Sequence, residues 1–313
     1  MELDRSGYEV TVLTRHAANA KDLPSSIKIE QVDYDSQTSL ERVLKEQDAL
    51  ISTVAMSAIS NQPLMIDSAI AAGVKLFIPA EYTVNSRDTL AQAQPLMSSV
   101  VAIQKYLART GDRVAWFVIN CGALLEFILD HPVILDFDKH SATLWDGGEG
   151  AISLSNLPLL ARAVSAVLKQ PHRVVNHRLK VHGGIITQNR ALEVAKQVSA
   201  HEWTTKHAES QIAYAAAFKS LSDGSAKRQE QLMAALLTAY NAASFGHCDG
   251  HFESAYAESD NDWLGVKEFM SGEIEEAIKQ RVINSERGAK DDGKHLESLV
   301  DVTGELAAIH ARK

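Results

Sequence analysis

Between residues 8 and 120, short β-branched or aromatic runs alternate with segments of helical spacing. Residues 8–14, Tyr-Glu-Val-Thr-Val-Leu-Thr after Gly7, alternate like a strand, as do residues 27–33 after the turn at Pro24. Residues 39–48 have helical spacing, with Ser36 or Thr38 as cap. Residues 49–54 form an apolar run typical of a strand buried on both faces. Pro63 opens a helix that Gly73 closes. A strand at 74–79, a helix at about 98–109 and a strand at 114–120 follow. Strands joined through helices imply right-handed crossovers and a parallel sheet. Ligands of such sheets sit beyond the carboxyl ends of the strands. The positions singled out are therefore Thr14, Arg15, Asp33, Thr53, Val54, Ala55, Pro79, Ala80, Glu81, Asn120, Cys121 and Gly122.

After about residue 125 the pattern loosens. Residues 152–168 read as a strand and then a helix, 179–182 as a strand, and 187–199 as a helix capped by Thr187. Residues 208–240 read as helical with a break at 222–225, and 262–282 include a further helix. Residues 284–293 are charged and glycine-containing, and 295–311 read as a weak amphipathic helix.

Composition narrows the function classes. The formal charge of −9 argues against a nucleic-acid partner, because phosphate binding needs a basic face. The longest uncharged stretch, residues 49–66, is too polar to span a bilayer, so no membrane partner is expected. The first ten residues do not resemble a secretory signal, and Cys121 and Cys248 are too few for a disulfide framework. A cytoplasmic location is expected.

Motif searches exclude several chemistries. G-x-G-x-x-G, the P-loop and G-x-S-x-G are absent, the nearest glycine pattern being Gly148-Glu-Gly150. None of the seven tyrosines has a lysine four residues on, which removes a Tyr/Lys proton relay. His247-Cys248-Asp249-Gly250-His251 reads as a polar loop in a chain with 12 histidines, and no metal site is expected. Arg15, just past a strand end, is placed either to pair with the 2′-phosphate of NADP or to stand as a surface cation. Glu81 would touch ligand or cap the next segment, and Cys121 reads as a small buried filler.

Taken in order, residues 7–15, Val32-Asp-Tyr-Asp35, Asp48-Ala-Leu-Ile-Ser-Thr-Val54, residues 70–82 and Asn120-Cys-Gly122 resemble the NmrA-like/isoflavone-reductase-like family in its fungal form. The stretch 71–82 is the most specific, and the likeness covers about residues 1–200. The resemblance implies an α/β fold with a Rossmann-like parallel sheet and a smaller, mostly helical C-terminal substrate region. It divides the chain into an NAD(P)-binding domain (1–125), a substrate-binding region (126–283) and a charged C-terminal tail (284–313).

The chain departs from the family twice. The family's first strand and glycine-rich turn have no counterpart, since Met1 to Gly7 look like the last turn of the helix that follows them. That leaves a gap between the strands at 8–14 and 49–54, to be closed by those two strands or left as bare edges. Val100 stands where reductases of the family carry a lysine, and Lys105 lies on another helical face.

The resemblance thus implies an NADP-dependent oxidoreductase acting on an aromatic or secondary-metabolite small molecule, with no proton donor named. Arg15 would clamp the 2′-phosphate, with Thr14 beside it at the cofactor, and Thr53, Val54 and Ala55 would line the dinucleotide. Pro79, Ala80, Glu81, Asn120, Cys121 and Gly122 would flank the nicotinamide. The alternatives are a non-catalytic NADP-sensing regulator with a protein partner, and a truncated inactive paralogue.

Overall fold

A computed structural model describes residues 2–20, 23–86, 88–246, 259–267, 271–287 and 305–310. A single helical turn, α1 (Glu2–Arg5), leads through Gly7 into β1 (Glu9–Thr14). β2 (Lys28–Gln31) follows, then α2 (Gln37–Leu44), whose cap is Ser36: its hydroxyl accepts the Ser39 N–H at 3.3 Å. β3 (Ala49–Thr53) leads to α3 (Gln62–Ala72), with Pro63 in its first turn and Gly73 at φ 83° closing it. The Rossmann-like half is completed by β4 (Leu76–Ile78), α4 (Thr89–Ala93), α5 (Ser98–Ala108) and β5 (Ala115–Asn120).

Beyond it come β6 (Ala123–Leu124), α6 (Leu125–Asp130), β7 (Ser141–Trp145), β8 (Ala151–Ser155) and α7 (Leu157–Lys169). β9 (His177–Lys180), β10 (Gly184–Thr187), α8 (Gln188–Val198) and β11 (Thr204–Ala208) follow. α9 (Ser210–Ser222), α10 (Gln229–Phe245), α11 (Asn261–Leu264), α12 (Ser271–Glu286) and β12 (Glu305–His310) complete the order.

The main sheet has seven strands in the order β2-β1-β12-β3-β4-β5-β9. All are parallel except β12, which is antiparallel to both β1 and β3. Neither outcome foreseen for the gap holds. β1 and β3 do not close on each other and are not left bare, because residues 305–310 fill the space between them. The amphipathic helix expected over 295–311 is overturned at these positions. A slot flanked by two strand edges satisfies the backbone N–H and C=O groups on both sides, and this outweighs the local helical spacing.

The central strands are buried on both faces, and their side chains divide with the period of two. Leu50, Phe77, Trp116 and Val118 pack with Leu40, Leu44, Met65, Ile66, Ile103 and Leu107 from α2, α3 and α5. Ala49, Ile51, Leu76, Ile78, Phe117 and Ile119 pack with Leu159, Leu160, Ala163, Val164 and Val167 from α7. A separate core joins two smaller sheets, β10-β8-β6 and β11-β7, to α6, α8, α10 and α12 through Trp145, Ile152, Leu154, Leu192, Phe245 and Ile278. No described helix is long and apolar enough to cross a membrane.

Candidate active site at the carboxyl rim of the sheet

Because β1, β3, β4 and β5 run the same way, their carboxyl ends reach one rim. The sequence-derived groups at positions 14–15, 53–55, 79–81 and 120–122 all follow or end these strands. Their accessibility differs. Arg15 and Thr53 are exposed and Ala55 is half-buried, whereas Thr14, Val54, Pro79, Ala80, Glu81, Asn120, Cys121 and Gly122 are buried. Arg15 makes no ion pair or hydrogen bond among the described residues; the turn beside it is held by Thr14 Oγ1, which accepts the His16 N–H at 3.3 Å. Asp33 stays in its own turn, its Oδ1 accepting the Asp35 N–H at 3.0 Å.

Behind the rim lies a buried polar cluster centred on Glu81, which is 3% exposed. Gln104 on α5 donates from Nε2 to Glu81 Oε1 at 2.7 Å, and Arg178 on β9 donates from Nη2 to Gln104 Oε1 at 2.8 Å. Burial pushes the Glu81 carboxyl up to about 7 against the opposing pull of Ser86, Gln104, Arg178 and Asn120. Asn120 Nδ2 donates to Ser86 Oγ at 3.2 Å, and Ala80 N–H donates to Gln62 Oε1 at 2.8 Å. This network fixes the segment after β4 against β5 and α3. Glu81 therefore positions the rim rather than facing solvent.

Burial pushes the Cys121 thiol up to about 12, so it is no nucleophile at neutral pH and is the inert filler that the sequence suggested. Tyr82 donates its phenolic O–H to Ser52 O at 3.1 Å, and burial raises its pKa also. Gly122, at φ 68°, lets the chain pass so close to β8 that any Cβ would meet the Ser153 carbonyl. Val100 is buried on α5 and offers no proton, while Lys105 is exposed to solvent.

Sequence reasoning missed the groups beyond Gly122. A narrow cavity with room for about one water is lined by Val84, Ala123, Ser153, Tyr240, Ser244 and Phe245 among others. Burial pushes the Tyr240 phenol up despite hydrogen bonds to Thr83 and Ser244, so it keeps its proton at neutral pH. Ser153 Oγ lies 3.2 Å from His182 Nδ1, and His182 is clamped through its backbone by Asn261, which accepts the His182 N–H and donates to its carbonyl at 2.6 Å. These residues come from β8, α10, α11 and the turn after β9, and no short motif links them. The His247–His251 cluster lies outside the described residues.

Comparison with known proteins agrees with this architecture. Residues 2–129 match the sequence model of the NmrA-like family. An Aspergillus flavus protein named oxidoreductase aprR is 27% identical over 225 residues, covering 71% of this chain and 75% of that protein. A Penicillium oxalicum protein named oxidoreductase poxI is 25% identical over 286 residues, covering 89% and 88%. Among solved structures, an NADPH-dependent quinone oxidoreductase from Escherichia coli superposes with a TM-score of 0.67 at 17% identity, covering 89% of this chain and 93% of that one. The leucoanthocyanidin reductase–NADPH complex from Vitis vinifera gives 0.60 at 14%, covering 87% and 90%. These likenesses bear out the Rossmann-like α/β fold read from the sequence.

Proposed function

We propose that this chain, which is NmrA-like over residues 2–129, is an oxidoreductase that uses NADP(H) on an aromatic or secondary-metabolite small molecule. The observation that carries the reading is Arg15, an exposed cation with no partner among the described residues, at the rim where the carboxyl ends of four parallel strands meet. An arginine so placed suits a 2′-phosphate, where an acid would select NAD. The names of the curated relatives and the NADPH complexes among the structural neighbours support the same class.

Arg15 and Thr53 are exposed and Ala55 is half-buried, so these are the rim residues open to a cofactor. Arg15 would hold the adenosine 2′-phosphate, with Thr14 shaping the turn beneath it, Thr53 to Ala55 would line the dinucleotide, and Pro79 to Glu81 with Asn120 to Gly122 would form the floor beneath the nicotinamide. β12 enters the sheet at this rim, between β1 and β3, as an antiparallel strand. The bound cofactor supplies the hydride. The chain supplies orientation through the Glu81 network and a proton held at the Tyr240 hydroxyl. The substrate would sit over Gly122 and the adjoining cavity.

A second reading, a non-catalytic NADP-sensing regulator with a protein partner, is favoured by one observation: Val100 is buried at the family's lysine position and no lysine replaces it from α5. The test is thermal denaturation with NADPH and NADH, followed by NADPH consumption with a panel of quinones and phenolic enones. Stabilisation by NADPH together with turnover supports the oxidoreductase. Stabilisation without turnover on any of the panel supports the regulator, and no stabilisation overturns both.

A further inference from the structure

Far from the rim, three groups with metal-binding chemistry converge from positions 140, 201 and 286. His140 precedes β7, His201 lies between α8 and β11, and Glu286 ends α12. One ligand atom from each falls within 4.8 Å of the others, and His140 Nε2 is 3.6 Å from Glu286 Oε1. Tetrahedral ligands around zinc stand about 3.3 Å apart, given Zn–N distances near 2.0–2.1 Å. The cluster therefore needs to close by at most about 1.5 Å.

Three further observations distinguish it from chance proximity. His140 Nε2 is buried and has no hydrogen-bond partner among the described residues. An orphaned imidazole nitrogen is costly unless something binds it. His140 is also held at φ 47°, in the left-handed region, with its ring 5.5 Å from Trp203 in an edge-on contact. Finally, the Glu286 carboxylate is already oriented. Ser199 Oγ–H donates to its Oε1 at 2.6 Å and the Ala200 N–H at 2.9 Å, the outer-shell support that metal-ligating carboxylates characteristically have.

We propose that His140, His201 and Glu286 bind a borderline divalent cation of the zinc class, with a water completing the coordination. Two imidazoles and one carboxylate suit zinc, cobalt or nickel and ill suit magnesium or calcium, which prefer all-oxygen shells. The ion ties the end of α12 to the loops that open β7 and β11. α12 is already docked there by Arg281, which donates from Nη2 to Asp138 at 2.8 Å and from Nε to the Leu129 carbonyl at 3.0 Å. The proposal is independent of the oxidoreductase reading, because none of these residues lies at the rim.

The test uses the full chain, stripped with chelator and titrated with Zn2+ by calorimetry and with Co2+ by visible absorption. The expected result is one ion per chain, a Co2+ band of four- or five-coordinate character, and a higher melting temperature with Zn2+. His201→Ala, at an exposed position, and Glu286→Gln should each weaken binding at least about tenfold, as should His140→Asn, which tolerates the left-handed backbone. Ser199→Ala should weaken it by about tenfold through the carboxylate's orientation. Absence of stoichiometric binding overturns the proposal. So does binding that survives His201→Ala and Glu286→Gln but is lost in His247→Ala/His251→Ala, which would put the ion on the other histidine cluster.

Discussion

Glu305 on β12 stands in register with Thr53 on β3, at the carboxyl end of the parallel strands, although the two run in opposite directions. The C-terminal segment thus enters the sheet at the carboxyl rim of the parallel strands and leaves at the opposite edge, where His310 pairs with Glu9. A strand with neighbours on both sides has each backbone N–H facing a partner. Ala307, in register with both Val12 and Ile51, is therefore a sensitive position. Ala307→Pro should remove a ladder bond and leave a buried carbonyl unsatisfied, at about 1–3 kcal/mol plus the clash of the ring. Urea denaturation measures this, and an unchanged midpoint would show that β12 contributes nothing to the sheet.

Glu81 links stability to pH. Burial raises its carboxyl from 4.5 to about 7, so the folded state binds the proton more tightly than the unfolded chain. Its contribution to stability falls as pH rises from about 4.5 to about 7, and the full cost, about 3 kcal/mol, is present above that. Glu81→Gln keeps an oxygen for the Gln104 amide and removes the titration. Relative to wild type, the variant should gain stability between pH 5 and pH 8. Parallel wild-type and variant curves across that range would refute the buried-carboxyl account.

Tyr240, which lines the narrow cavity together with Ala123 and Ser153, is the proposed proton donor. Tyr240→Phe should lower kcat by about 100-fold or more while changing KM little, as expected for loss of a general acid. The measurement is steady-state NADPH oxidation with whichever acceptor the wild type turns over. Equal kcat in the variant would assign the proton to another group.

Gly122 must remain a glycine. At φ 68° with the Ser153 carbonyl standing where a Cβ would go, Gly122→Ala should cost about 2–4 kcal/mol from the left-handed backbone and the overlap together. Thermal denaturation of the variant checks this, and a melting temperature equal to wild type would mean that β8 can move aside.

The first half of the fold was legible because its signals are local. Alternating apolar residues mark the strands, Ser36 or Thr38 marks a helix start, and Pro63 with Gly73 brackets a helix. β12 was not legible. Glu-Leu-Ala-Ala-Ile-His has no strong β-propensity of its own, and its state is decided by the edges of β1 and β3, distant in sequence. The rim residues followed from the rule that ligands meet parallel sheets at their carboxyl ends. Tyr240, the Ser153–His182 pair and the His140–His201–Glu286 cluster could not be foreseen in the same way. Each unites side chains from separate elements, and only the packing of α10, α11 and α12 on the small sheets brings them together.

The central claim is that the rim grips a phosphorylated dinucleotide through Arg15. Fluorescence titration of wild type and Arg15→Gln with NADPH and with NADH tests it most directly. The account predicts that wild type binds NADPH at least about tenfold more tightly than NADH, and that Arg15→Gln abolishes the preference while leaving NADH binding unchanged. Equal affinity of wild type for the two nucleotides, or a preference that survives the substitution, would contradict it.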